Sequence, residues 1–175
     1  IDAHLAADSH ALITTPGATR FYRSAGDTAT QRLHARIDEG ARLEWLPLET
    51  IAHSGSVAVN RMRFDLAPGA QMLGWDILAL GLPASGQAYE RGSFEQCIEL
   101  PGRWLERAVV DAADTRLLDS PIGWAGQRVL GTLWFAGGSA VPNALRDRLL
   151  DGARDLAGTH PLSRSTGATA LHESA

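Results

Sequence analysis

The sequence contains no lysine: every one of its 16 basic residues is arginine. That absence removes several chemistries at once. A P-loop needs a Lys on the nucleotide phosphates. Schiff-base and pyridoxal-phosphate enzymes need a Lys amine, and protein kinases need a Lys on their nucleotide. Cysteine is nearly absent too. Cys97 stands alone, so no intrachain disulfide and no cysteine-rich zinc site can form. The expected role of Cys97 is a small buried hydrophobe in a strand. Long apolar runs are missing. The stretch Met72 to Leu80 is among the longest and is far too short to cross a bilayer. No secretory leader is visible, so a reducing, cytoplasmic location is expected. There is no positive excess either. Twenty acidic residues against 16 basic ones leave a net charge of -4, which argues against nucleic acid as a partner.

Catalytic signatures are equally scarce. There is no Gly-x-Ser-x-Gly elbow. The six histidines form no His-x-x-x-His or His-x-His pair, so no local metal site is encoded. Gly137-Gly138 lacks the spacing of a dinucleotide fingerprint. His53, beside Ser54 and Ser56, and Ser85 are the remnants of a hydrolase reading, and a solvated loop is the expected setting of His53. Catalysis is not expected.

What is present reads as strands. The 175 residues, 45% of them hydrophobic, suit one domain with a sizeable core. Leu33, Ala35 and Ile37 alternate with His34, Arg36 and Asp38, the period of a half-buried strand. Val57 and Val59 have one parity, and Met62, Phe64 and Leu66 the other. That predicts a bulge or bend near Asn60 and Arg61. Strands are also predicted over Ser93 to Leu100, Trp104 to Asp111 and Val129 to Ala136, with Gly-Pro punctuation between them. A weak repeat of about thirty residues links Ala11-Leu12-Ile13, Gly40 to Trp45 and Pro68 to Trp75. The spacing predicts a helix over 142–157, with Leu145, Leu149, Ala153 and Leu156 as a packed stripe, Pro142 opening it and Gly158 stopping it. The expected fold is mainly β, with stacked strands in a β-helix-like or solenoid-like arrangement and one or two α-helices. Residues 1–175 are expected to form a single domain, incomplete at both ends.

Carboxylates inside apolar strands are the chemical feature. Asp76 is the one charge within Met72 to Leu80. Glu106 follows Trp104-Leu105, Glu44 lies between Leu43 and Trp45, and Glu49 follows Leu46-Pro47-Leu48. A buried unpaired carboxylate costs several kcal/mol, so each needs a partner, water or a cation. The bland reading is an ion pair, with Arg107 or Arg91 for instance, or an outward position. The functional reading is a weak oxygen-ligand path for a divalent cation, suited to transfer rather than storage. Asp76 and Glu106 lead it, with Glu44, Glu49 and Asp65 as weaker members. Five of the eleven aromatics are Trp, mostly core in expectation. Thr19, Arg20, Tyr22 and Arg23, after the Pro16-Gly17 turn, form the expected partner-binding surface.

Several segments together resemble one family. They are Thr14 to Ser24 (Thr-Thr-Pro-Gly-Ala-Thr-Arg-Phe-Tyr-Arg-Ser), Leu43 to Ile51, Asp65 to Ala70, Gly74 to Gly81, Pro83 to Gly86, Leu105-Glu106-Arg107 and Leu117 to Pro121. In this order they resemble the urease accessory protein UreD family, called UreH in some organisms. The resemblance implies a non-enzymatic scaffold in the maturation of nickel urease. It implies binding to apo-urease and to a UreF-like protein, which recruits a UreG-like GTPase. It also implies passage of nickel(II) through an internal tunnel with no stably bound cofactor, and a mostly β fold with few helices. The family's N-terminal Pro-Pro-Gly-Gly and Gly-Gly-Asp segment is not found here, nor are its last strands and helix. Leu82 stands where the family commonly has Arg, so no role of that Arg carries over. The alternative is a β-sheet protein–protein adaptor with no direct metal role.

Overall fold

The computed structural model describes residues 1–171 and 173. Its elements are β1 (Asp2–Leu5), β2 (His10–Ile13), β3 (Thr19–Phe21), β4 (Ala29–Ile37), β5 (Arg42–Trp45), β6 (Thr50–Ala52), β7 (Ser56–Leu66), β8 (Gln71–Leu80), β9 (Gly92–Leu100), β10 (Trp104–Asp111), α1 (Thr115–Asp119), β11 (Val129–Gly137) and α2 (Asn143–Thr159). The fold is mainly β, as expected.

The strands form two sheets. In the first, β1, β4, β7 and β9 run parallel and β10 returns antiparallel to β9. In the second, β2, β5 and the first half of β8 are parallel neighbours, and so are β3, β6 and its second half. β11 lies antiparallel on the other side of β8. The chain passes back and forth between the sheets, and each pass lies beside the one about thirty residues earlier. Leu33 thus faces Met62, and Leu43 faces Met72. The sequence repeat is therefore a spatial one, shifted by one residue at its end: Trp45 pairs with Gly74, not with Trp75.

The same corner recurs where a strand of the first sheet ends. Ser9, Ala41, Ala70 and Arg103 donate backbone N–H to Ala6, Asp38, Ala67 and Leu100. The third residue of each turn is left-handed: Asp8 (φ 58°), Gly40 (φ 68°), Gly69 (φ 74°) and Gly102 (φ 74°). These are turns of the kind that needs a positive φ at the third position, which Gly adopts without a Cβ penalty.

Side chains alternate strictly along β7 and β8. The predicted bulge is not there: the pairing of β7 with β4 and β9 runs unbroken through Asn60 and Arg61. Val57 and Val59 face outward, and Asn60 points into the core with its amide hydrogen-bonded. Cys97 is a second correction. It is half-buried between the inward-facing Gln96 and Ile98, on the opposite face of β9. The helix is a third. Pro142 caps α2 rather than opening it, and the helix runs through Gly158 to Thr159. It buries no residue, and Leu149 and Leu156 of the predicted stripe are exposed.

The core has two parts. One gathers Leu33, Leu43, Trp45, Met62, Phe64, Met72, Ile98 and Trp134. The other gathers Phe21, Ala58, Leu78, Leu80, Phe94, Val110 and Leu118. Between Ala58 and Met62 on β7, and between Phe94 and Ile98 on β9, the inward residue is an amide, Asn60 or Gln96.

Candidate functional site

The alternation of β8 turns Asp76 inward, in step with Met72 and Leu78, and leaves it 7% exposed. Glu106 enters from β10, where register places it opposite Ile98 of β9. Both carboxylates line a cavity of about 30 Å³ with Gln96, Thr132, Leu130 and Trp124. That is room for one or two waters, or for a small ion. The cavity lies where β9 and β10 of the first sheet face β8 and β11 of the second.

Neither carboxylate has an arginine partner among the described residues. Arg107, the expected partner, reaches Glu95 at 3.6 Å, and Arg61 holds the same Glu95 oxygen at 2.9 Å. Asp76 instead accepts a hydrogen bond on Oδ2 from Gln96 Nε2 at 2.7 Å. Burial and the charge of Glu106 push Asp76 up to about 6, against the opposing pull of the Gln96 hydrogen bond. Burial raises Glu106 as well. Two carboxylates held close with too little water to ionise freely together favour a shared proton or a shared cation.

Behind Gln96 runs a row of amides. Gln31 Nε2 donates to Asn60 Oδ1 (3.2 Å), and Asn60 Nδ2 donates to Gln96 Oε1 (3.1 Å). Gln31, Asn60 and Gln96 sit opposite one another on β4, β7 and β9. Sequence reasoning missed this row. Its signal was a polar residue at the same point of successive strands.

The weaker carboxylates lie elsewhere. Glu44 Oε1 accepts from His10 Nε2 at 2.8 Å on the β2–β5 surface. Asp65 contacts His34 Nε2 (2.6 Å) and Arg63 (2.8 Å). Burial would raise Asp65, but the hydrogen bonds from Arg63 and His34 outweigh it and hold the carboxyl below its ordinary value. Glu49 is half-buried, and its carbonyl accepts the Thr19 N–H at 3.0 Å. None of the three lines the Asp76–Glu106 cavity. Of the four residues expected at a partner surface, Arg20, Tyr22 and Arg23 are exposed and Thr19 is half-buried. Tyr22 stacks on His53 with ring centroids 4.9 Å apart. Among the described residues no group of three or more His, Cys, Asp or Glu is placed to hold a metal ion. No helix among them is long and apolar enough to cross a membrane.

The two sheets thus hold a carboxylate pair between them, with no arginine partner among the described residues. The comparisons give the family. The UreD urease accessory protein family matches residues 1–175, and the chain belongs to it. A urease accessory protein UreD of Leptothrix cholodnii is 62% identical over 172 residues, 98% of this chain and 62% of that protein. Those of Methylibium petroleiphilum and Albidiferax ferrireducens are each 56% identical, covering 99% and 97% of this chain and 63% and 61% of their own lengths. The chain thus spans about three-fifths of the length of these curated relatives.

Proposed function

We propose that this chain is the main body of a non-enzymatic scaffold for urease maturation. It binds apo-urease and a UreF-like protein, which recruits a UreG-like GTPase, and it passes nickel(II) by way of Asp76 and Glu106. The family membership supports the maturation role. The carrying observation for the metal step is the pair itself: two carboxylates in one cavity, neither held by an arginine among the described residues. Their oxygens, in a cavity also lined by Thr132 and Gln96, suit a hard or borderline divalent cation held weakly. Nickel is cargo here, not a resident cofactor. The parallel strands stacked at a spacing of about thirty residues support a β-helix-like reading of the frame. The cytoplasm is the compartment that suits such work.

The test is urease activation by the full-length protein. Asp76→Ala and Glu106→Ala are expected to lower activation at least tenfold while still co-purifying with the UreF-like protein and apo-urease. Wild-type activation by both would remove the metal role. It would leave the adaptor reading, in which assembly alone is the function, and which the lack of a three-ligand cluster among the described residues favours.

A further inference from the structure

Three amides lead from the half-buried Gln31 through the core to Asp76. Asn60 is 1% exposed and Gln96 5%. Leu or Met would fill the same volume without polar atoms to satisfy, so packing alone does not call for them. Their hydrogen bonds all run one way. Gln31 donates to Asn60, Asn60 to Gln96 and Gln96 to Asp76. The cause lies at the far end. An ionised carboxylate only accepts, so Gln96 must turn its NH₂ towards Asp76. Its carbonyl then faces the Asn60 NH₂, and the Asn60 carbonyl faces Gln31. Turning Gln96 over would set its oxygen against a carboxylate oxygen, and it would strand the Asn60 donor in the core.

We propose that Gln96 is a positioning residue for the Asp76–Glu106 pair, locked in direction by Asn60 and Gln31. Its amide fixes Asp76 Oδ2 and leaves Oδ1 as the oxygen available to a cation shared with Glu106. The row is a support and not a conduit at its two buried members, Asn60 and Gln96, whose carbonyl oxygens each already accept a neighbour's N–H. This inference rests on the reading of the pair as a divalent-cation station.

The experiment is calorimetric titration of the full-length protein with nickel(II), each variant first checked for a native melt. Gln96→Met keeps the volume and removes the donor. Nickel(II) affinity is expected to fall about tenfold or more, as when the group orienting a metal ligand is removed. Asn60→Leu should weaken it in the same direction by less, since Gln96 remains but is free to turn. Met62→Leu, two residues from Asn60 along β7, alters the neighbouring core without touching the row or the carboxylate pair and should leave affinity unchanged. That separates positioning from general softening. If Gln96→Met does not fold, Gln31→Ala at the half-buried end takes its place, with a two- to threefold loss expected. Wild-type affinity in whichever of these variants folds overturns the positioning role, provided that Asp76→Ala and Glu106→Ala lose binding. If those two also bind nickel(II) as the wild type does, the cation station itself is wrong, and the positioning role falls with it.

Discussion

The charge of Asp76 costs the folded state stability at neutral pH. Its carboxyl titrates near 6 in the folded chain because burial and Glu106 both oppose its charge, whereas an unfolded Asp titrates near about 3.9. Between those values the folded chain holds a proton that the unfolded chain has released. Stability therefore falls as pH rises through this window, and stays low above it. Asp76→Asn removes the charge and keeps an oxygen for the Gln96 donor. It is expected to stabilise the protein at pH 7.5 by on the order of 2 kcal/mol, and to flatten the fall between about pH 4 and 6. Urea unfolding across pH checks this, and a variant no more stable than the wild type at pH 7.5 contradicts it. A residue that costs stability where it stands is a sign of function. Asp76 was legible in the sequence because a single charge interrupted an apolar run. Asn60 was not. A buried amide and an outward polar residue look alike in one strand, and Asn60 read as a break in parity when it was an inward residue with partners on both sides.

The elements are tied together at their corners. Gly138 donates its N–H to the Ala70 carbonyl at 2.7 Å, bringing the end of β11 onto the turn between β7 and β8. Arg103, in the turn after β9, donates to the carbonyls of Gly137 (2.8 Å) and Gly138 (2.7 Å). The last corner of the first sheet is thereby clamped to the last strand of the second. A Cβ at Gly138 would fall 1.6 Å from the Ala67 carbonyl oxygen, with backbone on both sides of the clash. A Cβ at Gly102 would meet nothing within 4 Å, and its cost is only that of a left-handed backbone. Gly138→Ala is expected to cost about 3 kcal/mol or more, and Gly102→Ala about 1 kcal/mol. Thermal melts of the two side by side decide it, and equal losses would mean that the corner yields freely. The corners were legible as Pro-Gly and Gly-Ala pairs. The behaviour of α2 was not, because a sequence stripe shows which residues can be buried but not whether anything covers them. Leu149 and Leu156 fit the helical period and are exposed nonetheless.

At the scale of the molecule, the interior site and the outer surface make separate claims. The Asp76–Glu106 cavity lies between β8, β9, β10 and β11, with Asp76 buried and Glu106 half-buried. The corner that follows β3 lies outside, where Tyr22 is 64% exposed yet stacked on His53 at an angle of 12°. An exposed aromatic already held in one orientation loses little freedom on binding, which is the property of an interface anchor. Arg20 and Arg23 flank it, both exposed. An acidic face on a partner would fit this corner. Tyr22→Ala is expected to reduce co-purification of the full-length protein with the partners proposed above, a UreF-like protein or apo-urease, at least tenfold. The Arg20→Glu, Arg23→Glu double variant should do the same, with a smaller salt dependence in whatever binding remains. Neither change touches the core, so melting temperature and nickel(II) affinity should stay at wild-type values. If the double variant captures both partners as well as the wild type does, this corner is not the interface. Loss of nickel(II) affinity in Tyr22→Ala would instead show that the surface and the interior station are coupled.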